Sequence, residues 1–251
     1  MIKFSDEKRE FIVPGNRHKT VSYCAERFLE KGNEAIKKKN FFSVALSGGN
    51  TPLEVYKKLS SKENQNRIDW KRVFLFWSDE RSVPPNHSEN NYHTAMEIAF
   101  DKLPIPSTNI FRMKAEKNIE QNAKSYEANI KSILPSSSFD LIILGMGEDG
   151  HTASLFPETD GLKVLERLVI ANYVPQKNTW RMSLTFPCIN SSKEICVYVF
   201  GKNKAKTLEK ILNSPHNPQK FPIHNIGTAK KKALWILDNE SAENVVNIMI
   251  D

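Results

Sequence analysis

The chain is poor in cysteine, in glycine and in long apolar runs. Cys24, Cys188 and Cys196 are the 3 cysteines among 251 residues. They form no C-x-x-C pair and no zinc spacing, so neither a disulfide framework nor a zinc module is expected. Cys196 stands in an apolar run and reads as a small buried hydrophobe. Free thiols of this kind suit a reducing, cytoplasmic compartment. With 10 Gly and 13 Pro the chain is neither collagen-like nor of low complexity. The longest near-apolar run, Phe139–Met146, is interrupted by Asp140 and is much too short to span a bilayer. Met1–Glu10 carries charges where a signal peptide needs its apolar region. There is no internal repeat and no long Gly/Ser linker.

What the chain does have is an ordinary globular composition, 39% hydrophobic and 26% charged, too apolar for a disordered segment. A domain of this length buries roughly 70–75% of its unfolded surface, so it needs no metal or disulfide staple. Residues 1–251 are read as a single domain. Lys and Arg number 36 against 29 Asp and Glu, a formal charge of +7. A basic balance suits nucleic acid, an anionic membrane or a small anionic substrate. Much of it lies in runs such as Lys37–Lys39 and Lys230–Lys232. No aromatic residues interleave them, as a single-strand binder would require, so they read as a solubilising surface.

The order of signals is strand, turn, helix, repeated. Phe41–Leu46, Val73–Trp77, Phe139–Leu144 and Ile195–Phe200 read as strands, as do Leu168–Asn172, Met182–Phe186 and Ala233–Leu237. Helices are expected over His18–Lys38, from Thr51, over Asn91–Phe100 and Asn118–Leu134, from Lys204 to Leu212 and over Ala242–Met249. Thr51 can cap its helix, with Pro52 at the first position and Glu54 completing a capping box. Apolar strands alternating with helices predict an α/β fold: a three-layer domain around a mainly parallel, Rossmann-like, doubly wound sheet with right-handed crossovers. In such sheets ligands bind beyond the carboxyl ends of the strands, which directs attention to the loops there.

Three loops carry suitable chemistry. Ser47-Gly48-Gly49-Asn50-Thr51-Pro52 lets backbone amides approach a ligand at a helix start, where phosphate is a natural guest. It matches no dinucleotide or P-loop fingerprint, and it reads equally as a tight strand-to-helix turn. Trp77–Pro85 holds Asp79, Glu80 and Arg81 in a row; Arg81 can grip a phosphate or carboxylate, or pair with Asp79 in a solvated loop. Gly145-Met146-Gly147-Glu148-Asp149-Gly150-His151 follows a buried strand. Asp149 can hold His151 in one tautomer and raise its basicity, which suits a general acid/base. His18, His87, His93, His216 and His224 are expected at the surface or in helices. Arg181 and Lys204 are candidate partners for an anion. No metal-ligand cluster and no serine-hydrolase elbow is present.

Together these stretches resemble the 6-phosphogluconolactonase family. The resemblance rests on S-G-G-N-T-P at Ser47–Pro52, W-S-D-E-R-S-V-P-P at Trp77–Pro85 and S-E-N-N-Y at Ser88–Tyr92. It rests above all on G-M-G-E-D-G-H-T-A-S-L-F-P at Gly145–Pro157, with R-M-S-L-T-F-P at Arg181–Pro187 and G-K-N-K-A at Gly201–Ala205. Order and spacing match over nearly the whole chain. The related glucosamine-6-phosphate deaminases carry D-E-Y where this chain has Asp79-Glu80-Arg81, and they follow D-G-H with I-A-F-N-E-P. Both differences favour the lactonase over a deaminase-type isomerase, and the intact Asp149/His151 pair speaks against a non-catalytic sugar-phosphate sensor. One departure from the family pattern stands at Phe221–Lys232, where Pro222-Ile223-His224 and three lysines replace its usual Pro-Ala segment.

The resemblance implies hydrolysis of 6-phospho-D-glucono-1,5-lactone without cofactor or metal. His151, Asp149 and Arg81 are the expected catalytic residues. Ser47, Gly48, Gly49, Asn50, Thr51, Asp79, Arg181 and Lys204 are the expected substrate contacts. The partner is a small sugar phosphate, not nucleic acid or a membrane, and the expected state is a monomer or weak dimer.

Overall fold

A computed structural model describes residues 1–134 and 136–245. In chain order the elements are β1 (Ile2–Ser5), β2 (Arg9–Gly15), α1 (Arg17–Lys39), β3 (Phe42–Leu46), α2 (Asn50–Leu59), β4 (Val73–Trp77), β5 (Asp79–Arg81) and α3 (Asn91–Ile98). There follow α4 (Ile119–Ile133), β6 (Leu141–Gly145), β7 (Val169–Val174), β8 (Thr179–Leu184), α5 (Phe186–Ser191), β9 (Glu194–Val199), α6 (Ala205–Asn213) and β10 (Ala233–Asp238). A seven-stranded sheet has the order β1-β2-β10-β9-β6-β3-β4, and every pairing but β1 with β2 is parallel.

Side-chain alternation gives that sheet two covered faces. Phe42 of β3 meets Phe28 of α1 edge to face at 5.2 Å. Phe42 registers with Val73, so Phe76 of β4 points to the opposite face, where it packs on Tyr126 of α4. The central strands β3 and β6 are buried on both faces, which is why they read as unbroken apolar runs. The expected three-layer arrangement is therefore present.

Three features depart from expectation. The hairpin of β1 and β2 has no match among the expected strands; β1 alternates over four residues, and the apolar stretch of β2 is only Phe11–Val13, closed by Pro14. The Leu168–Asn172 and Met182–Phe186 signals correspond to β7 and β8, which do not join the parallel sheet. β8 pairs antiparallel with both β7 and β5 in a separate three-stranded sheet. Ser78 links the two sheets, donating to Leu46 and accepting from the Leu184 amide. Of the expected helix Ala242–Met249, residues 242–245 form turns and 246–249 lie outside the described residues.

Parallel order puts the ends of β3, β6 and β9 on one edge. At the opposite edge a buried carboxylate ties them. Asp140, 5% exposed, accepts from the Ser43 amide and hydroxyl at 2.9 Å each, and pairs with Lys39 (2.8 Å) and Lys193 (2.7 Å). Ser43 lies in β3, Asp140 precedes β6 and Lys193 precedes β9. Burial works against the Asp140 charge, but the two lysines and the Ser43 amide hold its carboxyl below its ordinary value. A depressed carboxyl contributes stability that is complete above the ordinary value near pH 4 and is lost as pH falls through the depressed one. Asp140→Ala should therefore cost about 3–5 kcal/mol at pH 7. In urea titrations that difference should shrink at pH 3; an equal difference at both pH values would contradict the charge assignment.

Candidate active site

The sheet order reverses between β3 and β6, because β3 leads outward to β4 while β6 leads the other way to β9. A cavity of about 810 Å³ opens there, within the usual size of small-ligand sites. Ser47, Gly48, Gly49, Asn50, Thr51, Asp79, Arg81, His151, Arg181 and Lys204 all line it. Asp149 is not in its wall but holds a residue that is.

The loop after β3 ends in an uncapped helix. The cap position of α2 is Gly49, at φ 91°, and no side chain bonds to its first turn. Thr51 thus lies inside the helix and not at its cap, and Glu54 turns away to Arg17 at 2.6 Å. The first amides of α2 are left to whatever occupies the cavity, at the positive end of the helix dipole. The loop is held from below by the Tyr56 hydroxyl, which bonds both the amide and the carbonyl of Ser47 at 3.0 Å.

The loop after β6 presents the imidazole. Asp149 Oδ1 lies 2.6 Å from His151 Nδ1 and also accepts the His151 amide at 3.1 Å. A carboxylate only accepts, so Nδ1 carries the hydrogen and Nε2 is left basic. Burial raises the Asp149 carboxyl, but the hydrogen bond and charge of His151 outweigh it and set it below its ordinary value. Phe156 stacks on the imidazole at 4.0 Å and 17°, fixing the ring plane. At Gly147 a Cβ would fall 2.1 Å from Nδ1, so the histidine occupies space that only glycine leaves open. The Gly147 amide is committed to the His151 carbonyl at 2.9 Å and is not free to meet a ligand.

The small antiparallel sheet supplies the cations. Arg81 and Arg181 are direct cross-strand partners on β5 and β8. Arg81 Nη1 donates to the Glu89 carbonyl at 2.6 Å, and Arg181 Nε is buried with no partner. Burial and the neighbouring Arg81 charge pull Arg181 below its ordinary value, against Asp79, Glu89 and Glu80. Among the described residues, Arg9, Arg17, Arg27, Arg67, Arg72, Arg112 and Arg167 each hold a carboxylate. Arg81 and Arg181 alone among the arginines hold none. Two like charges opposed in this way repel, so the arrangement is suited to a guest that brings negative charge. Lys204, in the turn before α6, and Lys177, in the β7–β8 hairpin, add two further cations to the wall, neither paired with a carboxylate among the described residues.

Asp79 and Arg81 do not pair. Asp79, 6% exposed, accepts from Ser154 Oγ at 2.7 Å through Oδ2, and its carbonyl accepts from Asn91 Nδ2 at 2.9 Å. Glu80 points the other way and accepts amides of Arg81, Asn91 and Tyr92 at 2.8–2.9 Å. Burial pushes the Glu80 carboxyl up to about 7 against the pull of those amides. Asn90 caps α3. The Ser88–Tyr92 stretch is therefore the seat on which the Asp79–Arg81 strand is fixed.

Sequence reasoning did not single out Arg17, Asn91 or Lys177 as cavity residues. Arg17 stands over Phe200 at 4.7 Å and reaches Asp238 at 3.4 Å. It lies 30 residues before the first glycine loop, and only the chain's return through β10 brings it there. Lys177 had no signal, being one lysine among many. Among the described residues no group of three His, Cys, Asp or Glu side chains is arranged to hold a metal. No helix among them is long and apolar enough to cross a membrane.

Residues 15–235 match the family described as glucosamine-6-phosphate isomerases/6-phosphogluconolactonase. A 6-phosphogluconolactonase of Chlamydia pneumoniae is 40% identical over 242 residues, 96% of this chain and 92% of that protein. The crystal structure of a devB protein superposes with a TM-score of 0.85 at 30% identity, over 94% of this chain and 99% of that one. A 6-phosphogluconolactonase of Thermotoga maritima gives 0.78 at 31% identity, over 91% and 98%.

The wall predicts binding of a simple anion. Inorganic phosphate at a hundred times its dissociation constant should raise unfolding free energy by about 2.7 kcal/mol, read as a rise in Tm. Arg181→Ala and Lys204→Ala should each reduce that rise. A parent protein indifferent to phosphate would remove the anion reading.

Proposed function

The chain belongs to the family of glucosamine-6-phosphate isomerases and 6-phosphogluconolactonases, and from that premise we propose that it hydrolyses 6-phospho-D-glucono-1,5-lactone to 6-phosphogluconate, a step of the oxidative pentose phosphate pathway. One observation carries the reading. A carboxylate-oriented imidazole lines the same cavity as an uncapped helix start and unpaired cations. A lactone phosphate needs both, a base at C1 and an anion cradle at C6.

The steps follow from these residues. His151 Nε2 takes a proton as water attacks C1. The new C–O bond leaves negative charge on the former carbonyl oxygen, which Arg81 meets; a well-placed donor there is worth roughly 3–4 kcal/mol. The bond from C1 to the ring oxygen then breaks. His151 returns its proton to that oxygen, and the product's carboxyl group ionises. Asp149 keeps the ring in the working tautomer and stabilises its transient cation. The amides of Gly48–Thr51, with Arg181 and Lys204, take the phosphate. That grip places C1 against His151, so its loss lowers turnover as well as binding. Asp79, anchored by Ser154 and Asn91, offers its carboxylate to sugar hydroxyls.

The deaminase reading lacks comparable support. Arg81 stands where those enzymes carry tyrosine, and it faces a second arginine.

With glucose-6-phosphate dehydrogenase supplying the lactone, the parent should remove it faster than spontaneous hydrolysis and release no ammonia. His151→Ala should slow turnover by about 10²–10⁴-fold while 6-phosphogluconate still binds. Near-normal turnover would take His151 out of the role. Lys204→Ala should lose much activity on the phosphorylated lactone and little on gluconolactone. Equal losses on both would separate Lys204 from phosphate.

A further inference from the structure

Five histidines were expected at the surface or in helices, and one of them is buried within a short 3-10 helix, Pro222–Asn225. His224 is 6% exposed and sits in the Phe221–Lys232 segment that departs from the family pattern. Its Nδ1 accepts the Asn217 amide at 3.0 Å, and its Nε2 donates to the Ile211 carbonyl at 2.9 Å, at the end of α6. A ring that accepts at one nitrogen and donates at the other is neutral. These bonds close a short strap over residues 217–224. Inside it the Asn217 carbonyl accepts the Phe221 amide at 2.8 Å, and the Phe221 carbonyl accepts that of His224 at 2.9 Å.

The strap lies against the loop that carries the imidazole. The Ile223 amide donates to the Gly150 carbonyl at 3.0 Å, and the Glu158 amide donates to Gln219 at 3.1 Å. The His151 loop is thus tied on both sides of the catalytic ring. Gly150 has φ 78°, and a Cβ there would come within 2.8 Å of the Phe221 ring. Phe221 in turn meets the His224 ring edge-on at 5.4 Å.

We propose that His224 is a positioning residue: its neutral imidazole locks the 217–224 strap beneath Gly150 and so holds the Asp149–His151 pair in working geometry. This rests on His151 being the base. A shift of about 1 Å in such a group can cost on the order of 10²-fold in rate.

The lock is also sensitive to acid. Protonation would set a second N–H against the Asn217 amide. The ring already faces His216, stacked at 5.7 Å and 18°, and Lys8 and Arg9 of the N-terminal hairpin. Asp6 and Glu7 line the same shallow recess. Burial, then Arg9, His216 and Lys8, hold His224 below its ordinary value, against the Ile211 carbonyl. A base depressed in the folded state contributes stability that is complete above the ordinary value near 6.5. That contribution is lost as pH falls from there through the depressed value.

Two variants and two readouts test this. His224→Ala removes the lock, whereas His224→Asn keeps an acceptor for Asn217 and does not titrate. At pH 7.5, His224→Ala should lower kcat by about tenfold or more with KM little changed, and His224→Asn should recover much of that loss. On the acid side, log kcat in the parent should fall more steeply with pH than in His224→Asn, which lacks the titrating ring. Hydrogen exchange at the Ile223 amide should quicken in His224→Ala and stay slow in His224→Asn. A parent-like slope in His224→Asn, or variants that raise KM alone, would overturn the proposal even if His224→Ala fails to fold. If His151→Ala is near-normal, the proposed function fails on its own test, while Ile223 exchange still reports on the strap.

Discussion

The site depends on β3, β6 and β9 rising side by side in a fixed register, and one buried carboxylate pins them at their lower ends. Asp140 gathers a serine from β3 and lysines from α1 and the start of β9. A charge placed there stays bonded only if the strands keep their stagger, and a slip of one residue would turn every side chain to the wrong face. Because the strands are parallel, what is fixed at the bottom is fixed at the top. The glycine loop after β3 and the histidine loop after β6 leave the sheet as neighbours at the point where strand order reverses.

The second constraint is electrostatic. Arg17 and Arg181 both line the cavity, yet they serve different ends. Arg17 is held by Glu54 and Asp238 and ties α1, α2 and β10 together at the rim. Arg181 is more deeply set, faces Arg81 and has no carboxylate. In a bare protein that juxtaposition is unfavourable. It persists because β5 and β8 are anchored through other groups. Ser183 Oγ accepts the Ser154 amide at 3.1 Å, and Glu80 fastens the start of α3. The scaffold therefore bears the repulsion that a phosphate would relieve, and it leaves the arginines oriented before any ligand arrives.

The parallel core was legible because its strands are buried on both faces and so read as continuous apolar runs, with Gly-rich turns marking each exit. Elements with one wet face were harder. β1 is short and β2 has only three successive apolar residues, and nothing in β7 or β8 says that they form an antiparallel sheet with β5. The gathering of the glycine and histidine loops around one cavity was legible for the same reason as the core, since each follows a buried strand; Asp79, Arg81 and Arg181 instead stand within β5 and β8. Arg17 and Asn91 were missed because their places are set by long-range packing. Thr51 was misread as a cap because Thr-Pro-Leu-Glu has every local mark of a capping box. The structure instead starts the helix two residues earlier, at Gly49, where a missing side chain keeps the amides open. The burial of His224 was not legible because polar neighbours in sequence hid a site built from α6 and the strap.

These observations meet in the loop from Gly145 to Pro157. Gly147 must be glycine because the imidazole fills its Cβ space, and Gly150 must be glycine because Phe221 fills its own. Thr152 is bonded to the Gly145 carbonyl, Ser154 to Asp79, and Phe156 is stacked on His151. Thr152, Phe156, Asp149 and His151 thus brace one another within the loop, and Ser154 ties it to β5. The sheet supplies its height, the small antiparallel sheet supplies its flank, and the strap supplies its floor. Under the proposed mechanism, a phosphate seated on the first amides of α2 brings the lactone carbonyl to His151, so binding at one end serves the chemistry at the other. The same argument explains why the motif is legible in one dimension. Its residues are constrained on every side by contacts that a sequence cannot display, and the string itself is the trace those contacts leave.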